Sequence, residues 1–572
     1  MKFSKLTVAI AATLGTSFAF DAAAMDLYVD TKTKQIFAEP GRGRVLMGAF
    51  EKVAEEPSPL STPAAPLATK AEVAAIREEL DLKNNEIKAL SEFAAEANGP
   101  ESAHVSLKDG IHFATKDGNF TAGINGRMQV DSQINEQTLP NAYQGIYSSS
   151  SGSPVTLNNG AGLRRARLGV EGTFFKKTDY KFEYDFTRGN GFNAGGITDA
   201  YIRYNFTKPF SVKVGAFKEP FSLEEATSNR YTTFIERNMS VNTFVDNLNT
   251  YKVGIGANWA VDRFQIGSSF QTEGVGGYTN AYGSNGVSAS TGTMSTTGSA
   301  CGANGGVNRS GGCGDTSWEF NTRVSGTPWF GSKTKFLHVG ASGSYININN
   351  NYTGNGTYSN GGVYFANGLG GNVDRTAILN TGNLTNGSNG AKGSHQANVL
   401  TRFGGESAVV YGPFSAQGEY LMTTVSGNGY DNASLDGYYG YMTYFLTGES
   451  RNYKSKTGAW DRLKPNRNFD MKGGWGAWEV ATGYDYMNLN SASGSNTATG
   501  INGGTASTVK FGLNWYPHSH LRVMTNYIHA LNINTSGAAT SSGASAPTAS
   551  STQRAWNNAS LDMIETRVQV DW

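Results

Sequence analysis

The chain ends Ile-Glu-Thr-Arg-Val-Gln-Val-Asp-Trp, residues 564–572. Ile564, Thr566, Val568, Val570 and Trp572 fall on one face of an extended strand, and Glu565, Arg567, Gln569 and Asp571 on the other. A period of two with an apolar and a charged face belongs to a strand lying between two different surroundings. In a soluble sandwich the polar face meets bulk water; in a membrane barrel it faces a water-filled lumen while the apolar face meets lipid. This strand alone leaves the two readings level.

The N-terminus tips the balance. Residues 1–24 read as a cleaved export signal: Lys2 and Lys5 lead, Leu6 to Phe20 is a short apolar run, and Ala22-Ala23-Ala24 precedes Met25. No later stretch approaches the ~18 uninterrupted apolar residues of a spanning helix. An exported chain that crosses a membrane without such a helix must be a closed barrel, which alone satisfies every strand's backbone without water. The closing Trp572 resembles the C-terminal sorting signal of bacterial outer-membrane barrels.

Composition agrees with a large barrel: 572 residues, 72 Gly, 12% aromatic and 16% charged. Gly, Asn, Ser and Thr crowd 275–316, 347–394, 490–505 and 534–557, which read as outward-facing loops. The formal charge of +1 falls near zero once Lys2, Lys5 and Asp21 leave with the signal, so no global basic charge points to nucleic acid. Cys301 and Cys313 bracket a Gly-rich tip and read as a local disulfide, worth about 3 kcal/mol on the chain-entropy model.

The organisation that follows is a leader at 25–56 with a hint of a hairpin, a Pro-rich linker at 57–69, and a coiled-coil helix at 70–98. In that helix Val73, Ile76, Leu80, Ile87 and Leu90 recur at heptad spacing, interrupted by Lys83. An amphipathic helix packed on its own domain is the plainer reading, but a lone helix of this length is marginal in water, which favours self-association. Residues 105–572 form the barrel. About sixteen alternating segments can be marked from Phe120 to Trp572, with Ile111–Thr115 set aside as a strand ahead of the barrel. The expected fold is an all-β, transmembrane antiparallel barrel of about 16 strands with an N-terminal periplasmic coiled-coil helix. With the N-terminal segment periplasmic, parity puts the long loops outside and the C-terminus inside. One long connection, 448–474, then breaks the short-turn habit on the periplasmic side.

Two stretches resemble the phosphate-selective porin O/P family. One runs from Leu163 to Asn238 and contains LRRARLGVEGTFFKKTDYKFEYDF, ITDAYIRYNF and VKVGAFKEPFSLEEATSNRYTTFIERN. The other is YFLTGESRNYKSKTGAWDRLKPNRNF at 444–469, within the anomalous connection. The resemblance implies a homotrimer of sixteen-stranded barrels with the third loop folded into the pore. It also implies that Arg164, Arg165, Lys218 and, more weakly, Asp199 line an anion path.

Alternation adds inward cations: Arg165 and Arg167 opposite Ala166, with Arg127, Lys181, Arg203, Lys213, Lys252, Arg402, Lys510, Arg522 and Arg567. Inward acids are Asp131, Glu183, Asp185, Asp199, Glu479, Asp485, Glu565 and Asp571, so the basic excess is small. The inward loop, Lys218 to about Asp246, adds Glu219, Glu224, Glu225 and Glu236, an acidic balance unlike that of a strong phosphate selector. A purely structural role, in which Arg165 and Arg167 pair with Glu183 and Asp185 across the wall, stands beside the anion-path reading. The seven histidines are scattered without nucleophile or acid partners at telling spacing, so no catalytic, metal or cofactor site is expected. The expected function is an outer-membrane channel for small anions, phosphate among them, embedded in outer-membrane lipid. The alternatives are a general diffusion porin, or a tether in which the periplasmic coiled coil contacts the cell wall.

Overall fold

The computed structural model describes residues 25–30, 36–37, 44–50, 70–97, 103–107, 110–140, 156–187, 196–246, 251–274, 317–348, 364–371, 373–382, 384, 396–428, 430–491, 501–535 and 555–572. The export-signal reading of 1–24, the linker at 57–69 and the Cys301–Cys313 pairing lie outside these residues.

The chain divides into two units, 1–94 and 95–572. In the first, β1 (Met25–Asp30) pairs antiparallel with β2 (Ile36–Phe37) and β3 (Arg44–Phe50). Helix α1 spans Lys70–Ala97, and its Leu80, Ile87 and Leu90 stand about 60% exposed.

The second unit is a closed antiparallel barrel. Its strands are β6 (Phe120–Thr138), β7 (Gly160–Phe174), β8 (Thr178–Asp185), β9 (Gly196–Asn205), β10 (Phe210–Lys218), β11 (Tyr251–Ala260), β12 (Phe264–Gly274), β13 (Trp318–Ser332) and β14 (Lys335–Asn347). They continue with β17 (Gln396–Tyr411), β18 (Phe414–Asn428), β19 (Tyr430–Phe445), β22 (Ala477–Ser491), β23 (Ile501–His518), β24 (Leu521–Asn534) and β25 (Ser560–Asp571). These sixteen strands match the sequence-based segments, most of them to within a few residues. The larger departures are β6, β19 and β23, which extend further at the long-loop end. There the inward residues Ile501 and Ala506 are buried against loops that also fold inward, so the Gly-rich start of β23 has a core to join.

Closure comes from β25 on β6, with Arg567 opposite Asp131 and Val568 opposite Val130. Trp572 exchanges two backbone hydrogen bonds with Gly126, each 3.1 Å. The hairpin of β4 (Ala103–Ser106) and β5 (Ile111–Thr115) pairs with the first residues of β6, on the edge that β25 leaves free. Ile111–Thr115 is thus a strand ahead of the closed wall, as the sequence reading has it.

The wall is apolar outside and polar inside. On β25, Ile564 is 48% exposed while Arg567 is fully buried. Phe182, Val214, Phe320 and Phe511 are likewise exposed, and Arg127, Gln129, Arg323 and Lys510 are buried. Apolar side chains gain nothing by turning inward when lipid covers the outer face, whereas backbone and charged groups must be satisfied within.

Candidate functional site: the lumen

Among the described residues, three segments fold into the barrel. The first, 219–246, follows β10 and carries α2 (Leu223–Ala226) and α3 (Met239–Phe244). It is sewn to the wall by charge-assisted bonds to its backbone. Glu419 accepts from the N–H groups of Leu223 and Glu224 at 3.1 and 2.8 Å, and Asp485 accepts from Met239 N–H at 2.6 Å. These carboxylates satisfy N–H groups at the helix starts that have no intrahelical acceptor. Arg402, Arg522 and Arg567 donate to the carbonyls of Phe244, Thr232 and Ile235.

The second, seen at 364–371, 373–382 and 384, forms the short pair β15 (Ala366–Asn367) and β16 (Leu379–Asn380). Asn367 donates to Thr243 Oγ1 at 2.9 Å, and Phe365 meets the Phe244 ring edge-on at 5.5 Å. With Leu369, Ile378, Leu379, Leu400, Leu435 and Ile533 this builds a fully enclosed apolar core toward the long-loop end.

The third is the anomalous connection 446–476, which holds β20 (Tyr453–Lys454) and β21 (Ala459–Trp460). Arg323 donates to the carbonyls of Thr457 and Gly458, and His338 bonds Tyr453 Oη at 2.7 Å. Trp460 donates from its backbone to Thr227 of the first segment and from its indole to Gln417. The two inward segments therefore meet.

Strict alternation cannot send both Arg164 and Arg165 inward, yet both reach Glu236. A β-bulge explains it: Gln129 faces Arg165 and Val130 faces Leu163, leaving Arg164 as the extra residue. Arg164 binds Glu236 through two bonds of 2.9 and 3.0 Å, Arg567 adds a third at 2.9 Å, and Arg165 stands 3.8 Å away while donating to Gln129. Burial opposes ionisation of Glu236, but these guanidiniums hold its carboxyl well below the usual carboxylate range. A second bulge on β9 sets Phe182 against Ala200 and Tyr184 against Ile197. Thr198 and Asp199 consequently both serve the lumen, Thr198 donating to Glu183 and Asp199 pairing with Lys181 at 2.9 Å.

The remaining candidates are mostly paired as well. Arg167 holds Glu183 and Asp185 at 2.9 and 2.7 Å, and Arg127 holds Glu183 at 2.8 Å. The cross-wall pairing considered from sequence is therefore real for Arg167 and does not extend to Arg165. Lys218 pairs with Glu225, and Arg203 with Asp179. The loop's Glu219, Glu225 and Glu236 thus meet wall cations, Glu219 taking Arg402 and Lys252. Lys213 is different. Among the described residues it has no ion-pair partner; its ammonium lies 4.0 Å above the Phe217 ring and 5.6 Å from Tyr201.

Lys213 also sits where the wall is open. The inward side chains of β17–β19 and β22–β25 are largely buried under the inward segments, whereas Lys181, Asp199, Arg203 and Lys213 are only half-buried. On the neighbouring pair Gly215 faces Gly254 and Lys213 faces Gly256. A Cβ on Gly256 would come within 3.2 Å of Lys213 Cε and 3.0 Å of Phe217 Cζ, so this glycine makes room for the lysine stem.

Sequence reasoning passed over Arg323, Glu319, Glu406, Glu419 and Arg451, all buried. The first four sit on the polar face of β13, β17 and β18, a signal the alternation carries; with them the apparent basic excess largely disappears. Arg451 had no such signal, because its position depends on the connection folding inward over Trp460, 3.9 Å from its guanidinium.

The description "Phosphate-selective porin O and P" attaches to the family model that matches residues 143–548, more than half of the chain. The chain belongs to this family. The porin is 29% identical over 431 residues to Porin O of Pseudomonas aeruginosa, covering 74% of this chain and 86% of that one. Among solved structures it is similar to the outer membrane channel DcaP of Acinetobacter baumannii, at 12% identity and a TM-score of 0.42 over 80% of this chain and 99% of that one. It is also similar to an anion-selective porin from Comamonas acidovorans, at 10% identity and a TM-score of 0.40 over 79% and 100%. The fold assignment rests on the closed strand ladder and the family match, not on these superpositions. The porin is an anion-selective channel of the bacterial outer membrane.

Proposed function

We propose that small anions, phosphate among them, cross this porin along the wall of β8–β10, between that wall and the inward segment 219–246. Lys181, Arg203 and Lys213 line the path, with Lys218 at the start of the loop. What supports this reading is Lys213, a half-buried lumen cation with no ion-pair partner among the described residues, on a stretch of wall lined by glycine. A carboxylate beside a cation cancels most of its field on a passing ion, so an unpaired charge sets the sign of the selectivity. Arg164, Arg165, Arg127 and Arg167 hold the loop and wall together and act on the ion only through the residual field.

In the same reading residues 1–24 direct export, and three copies assemble with α1 as the seam in the periplasm. The exposed Leu80, Ile87 and Leu90 stripe supports that part, because it needs a partner to cover it.

The test is the zero-current potential across a potassium chloride gradient. A unit charge about 7 Å away in a water-like dielectric is worth about 0.6 kcal/mol, about threefold in permeability. Lys213→Gln should therefore lower the chloride-to-potassium permeability ratio about threefold at low salt, and Lys213→Arg should keep it. An unchanged ratio in Lys213→Gln would remove the path from this wall.

A further inference from the structure

We infer that the connection 446–476 is a clasp on the barrel seam: it fastens to β25 once β25 has paired with β6, and then holds the closed barrel against reopening. This gives the motif stretch at 444–469 a task of its own, and it does not depend on the ion path proposed above.

The wall has one pairing that joins its first strand to its last, β25 on β6; the others join consecutive strands. Across that seam Arg567 meets Asp131, 436 residues away in the chain, so the seam carries the largest loop-closure cost of the sheet. Opening there would present two unpaired strand edges to lipid, where each orphaned backbone group costs several kcal/mol. Any contact that ties β25 down from beyond the seam raises the barrier to that opening.

The connection supplies such contacts. Arg462 donates two bonds to the Asp571 carboxylate, of 2.7 and 3.0 Å, and a third to the carbonyl of Ser519 at 2.6 Å. Phe469 N–H donates to the Pro517 carbonyl at 2.8 Å, and the Trp515 indole donates to the Trp475 carbonyl at 2.8 Å. Asp571 is the last residue of β25 in the seam register, opposite Arg127, and it is buried. Arg230 of the first inward segment lies 3.6 Å from the same carboxylate. A guanidinium that grips both oxygens of a buried carboxylate is worth more than an exposed ion pair. The connection's other half is held by Arg323 of β13 through the carbonyls of Thr457 and Gly458.

Chain order sets the sequence of events. Ser519 and Asp571 follow Arg462 by 57 and 109 residues, so the clasp is complete only when the last strand is in place. The pairing that closes the wall is also the one that sets Asp571 beside Arg462 and Arg230. Contacts made after closure slow opening and leave the rate of closing unchanged.

The experiment follows unfolding of the full-length protein in detergent and denaturant, by loss of the folded band on electrophoresis, with Cys301 and Cys313 replaced by serine. Arg462→Gln should speed unfolding about tenfold. The deciding arm closes the seam covalently, with a disulfide between the facing positions Val130→Cys and Val568→Cys. In that background Arg462→Gln should unfold at the rate of its cross-linked parent. A control disulfide on β13 and β14, between the facing positions Val324→Cys and Ala341→Cys, should leave the tenfold effect in place. An unchanged unfolding rate in Arg462→Gln would overturn the inference. So would the same acceleration with the seam cross-linked, which would mean that Arg462 holds the connection and not the seam. Should Arg462→Gln fail to assemble, Arg462→Lys, which keeps the charge and loses the two-pronged bond, gives the same comparison with a smaller acceleration.

Discussion

At the scale of single residues the lumen is organised by which charges are already matched. Arg167 touches two carboxylates and is 7% exposed, so replacing it leaves Glu183 and Asp185 with less compensation in a buried place. Arg167→Gln should cost about 3–5 kcal/mol of barrel stability, read as a lower temperature for loss of the folded form on electrophoresis, with little change in ion selectivity. A selectivity change without loss of stability would contradict that assignment. Gly126 gives a second residue-scale prediction. A Cβ there would lie 2.3 Å from the Trp572 ring, on the strand where the closing aromatic is bonded to the backbone. Gly126→Val should slow barrel assembly, measured as the yield of folded protein in the outer membrane, and Trp572→Ala in the same chain should relieve the clash without restoring the aromatic anchor. Inward-facing Arg167 could be read from alternation, since a period of two needs no partner to be seen. Arg164 could not, because the bulge that turns it depends on how β7 registers against β6.

At the scale of elements, the strands were legible from alternation, whereas of the inward segments only the loop from Lys218 to about Asp246 was expected, through the family resemblance. Alternation marks every barrel strand because each one separates lipid from lumen locally. The docking of 219–246 depends on Glu419, Asp485, Arg402 and Arg567, which lie 183 to 332 residues further along the chain than their partners and come near only when the barrel closes. The acidic excess of that loop argued in sequence against a strong phosphate selector; in the fold three of its carboxylates answer wall cations. The connection 446–476 was marked by its length and by the motif at 444–469, neither of which says that it folds inward. Its Trp460 packs with Leu223 and Phe336 and bonds both Thr227 and Gln417, so it narrows the lumen from the short-turn end and braces the first segment. Trp460→Ala removes these contacts and should raise single-channel conductance and its noise, while the folded fraction stays near native because the sixteen-strand ladder is untouched. A conductance at the native value would mean that this connection does not border the ion path.

At the scale of the whole molecule, barrel and N-terminal unit carry separable tasks. The barrel's strands close on themselves and its inward segments are anchored to its own wall. Removing residues 25–98 should therefore leave a barrel that inserts and conducts with native selectivity but yields fewer trimers by cross-linking. Complete loss of insertion would show that the leader and α1 act in assembly of the barrel itself. The central claim is that water and ions follow the β8–β10 wall and avoid the side filled by the inward segments. It is tested most directly by cysteine accessibility in conducting channels, with Cys301 and Cys313 replaced by serine. Lys213→Cys and Thr423→Cys place a thiol on the open wall and on the covered one, where Thr423 is fully buried. A charged, membrane-impermeant thiol reagent should change the current through Lys213→Cys channels within its reaction time and leave Thr423→Cys channels unaltered. Modification at Thr423 with no response at Lys213 would contradict the account.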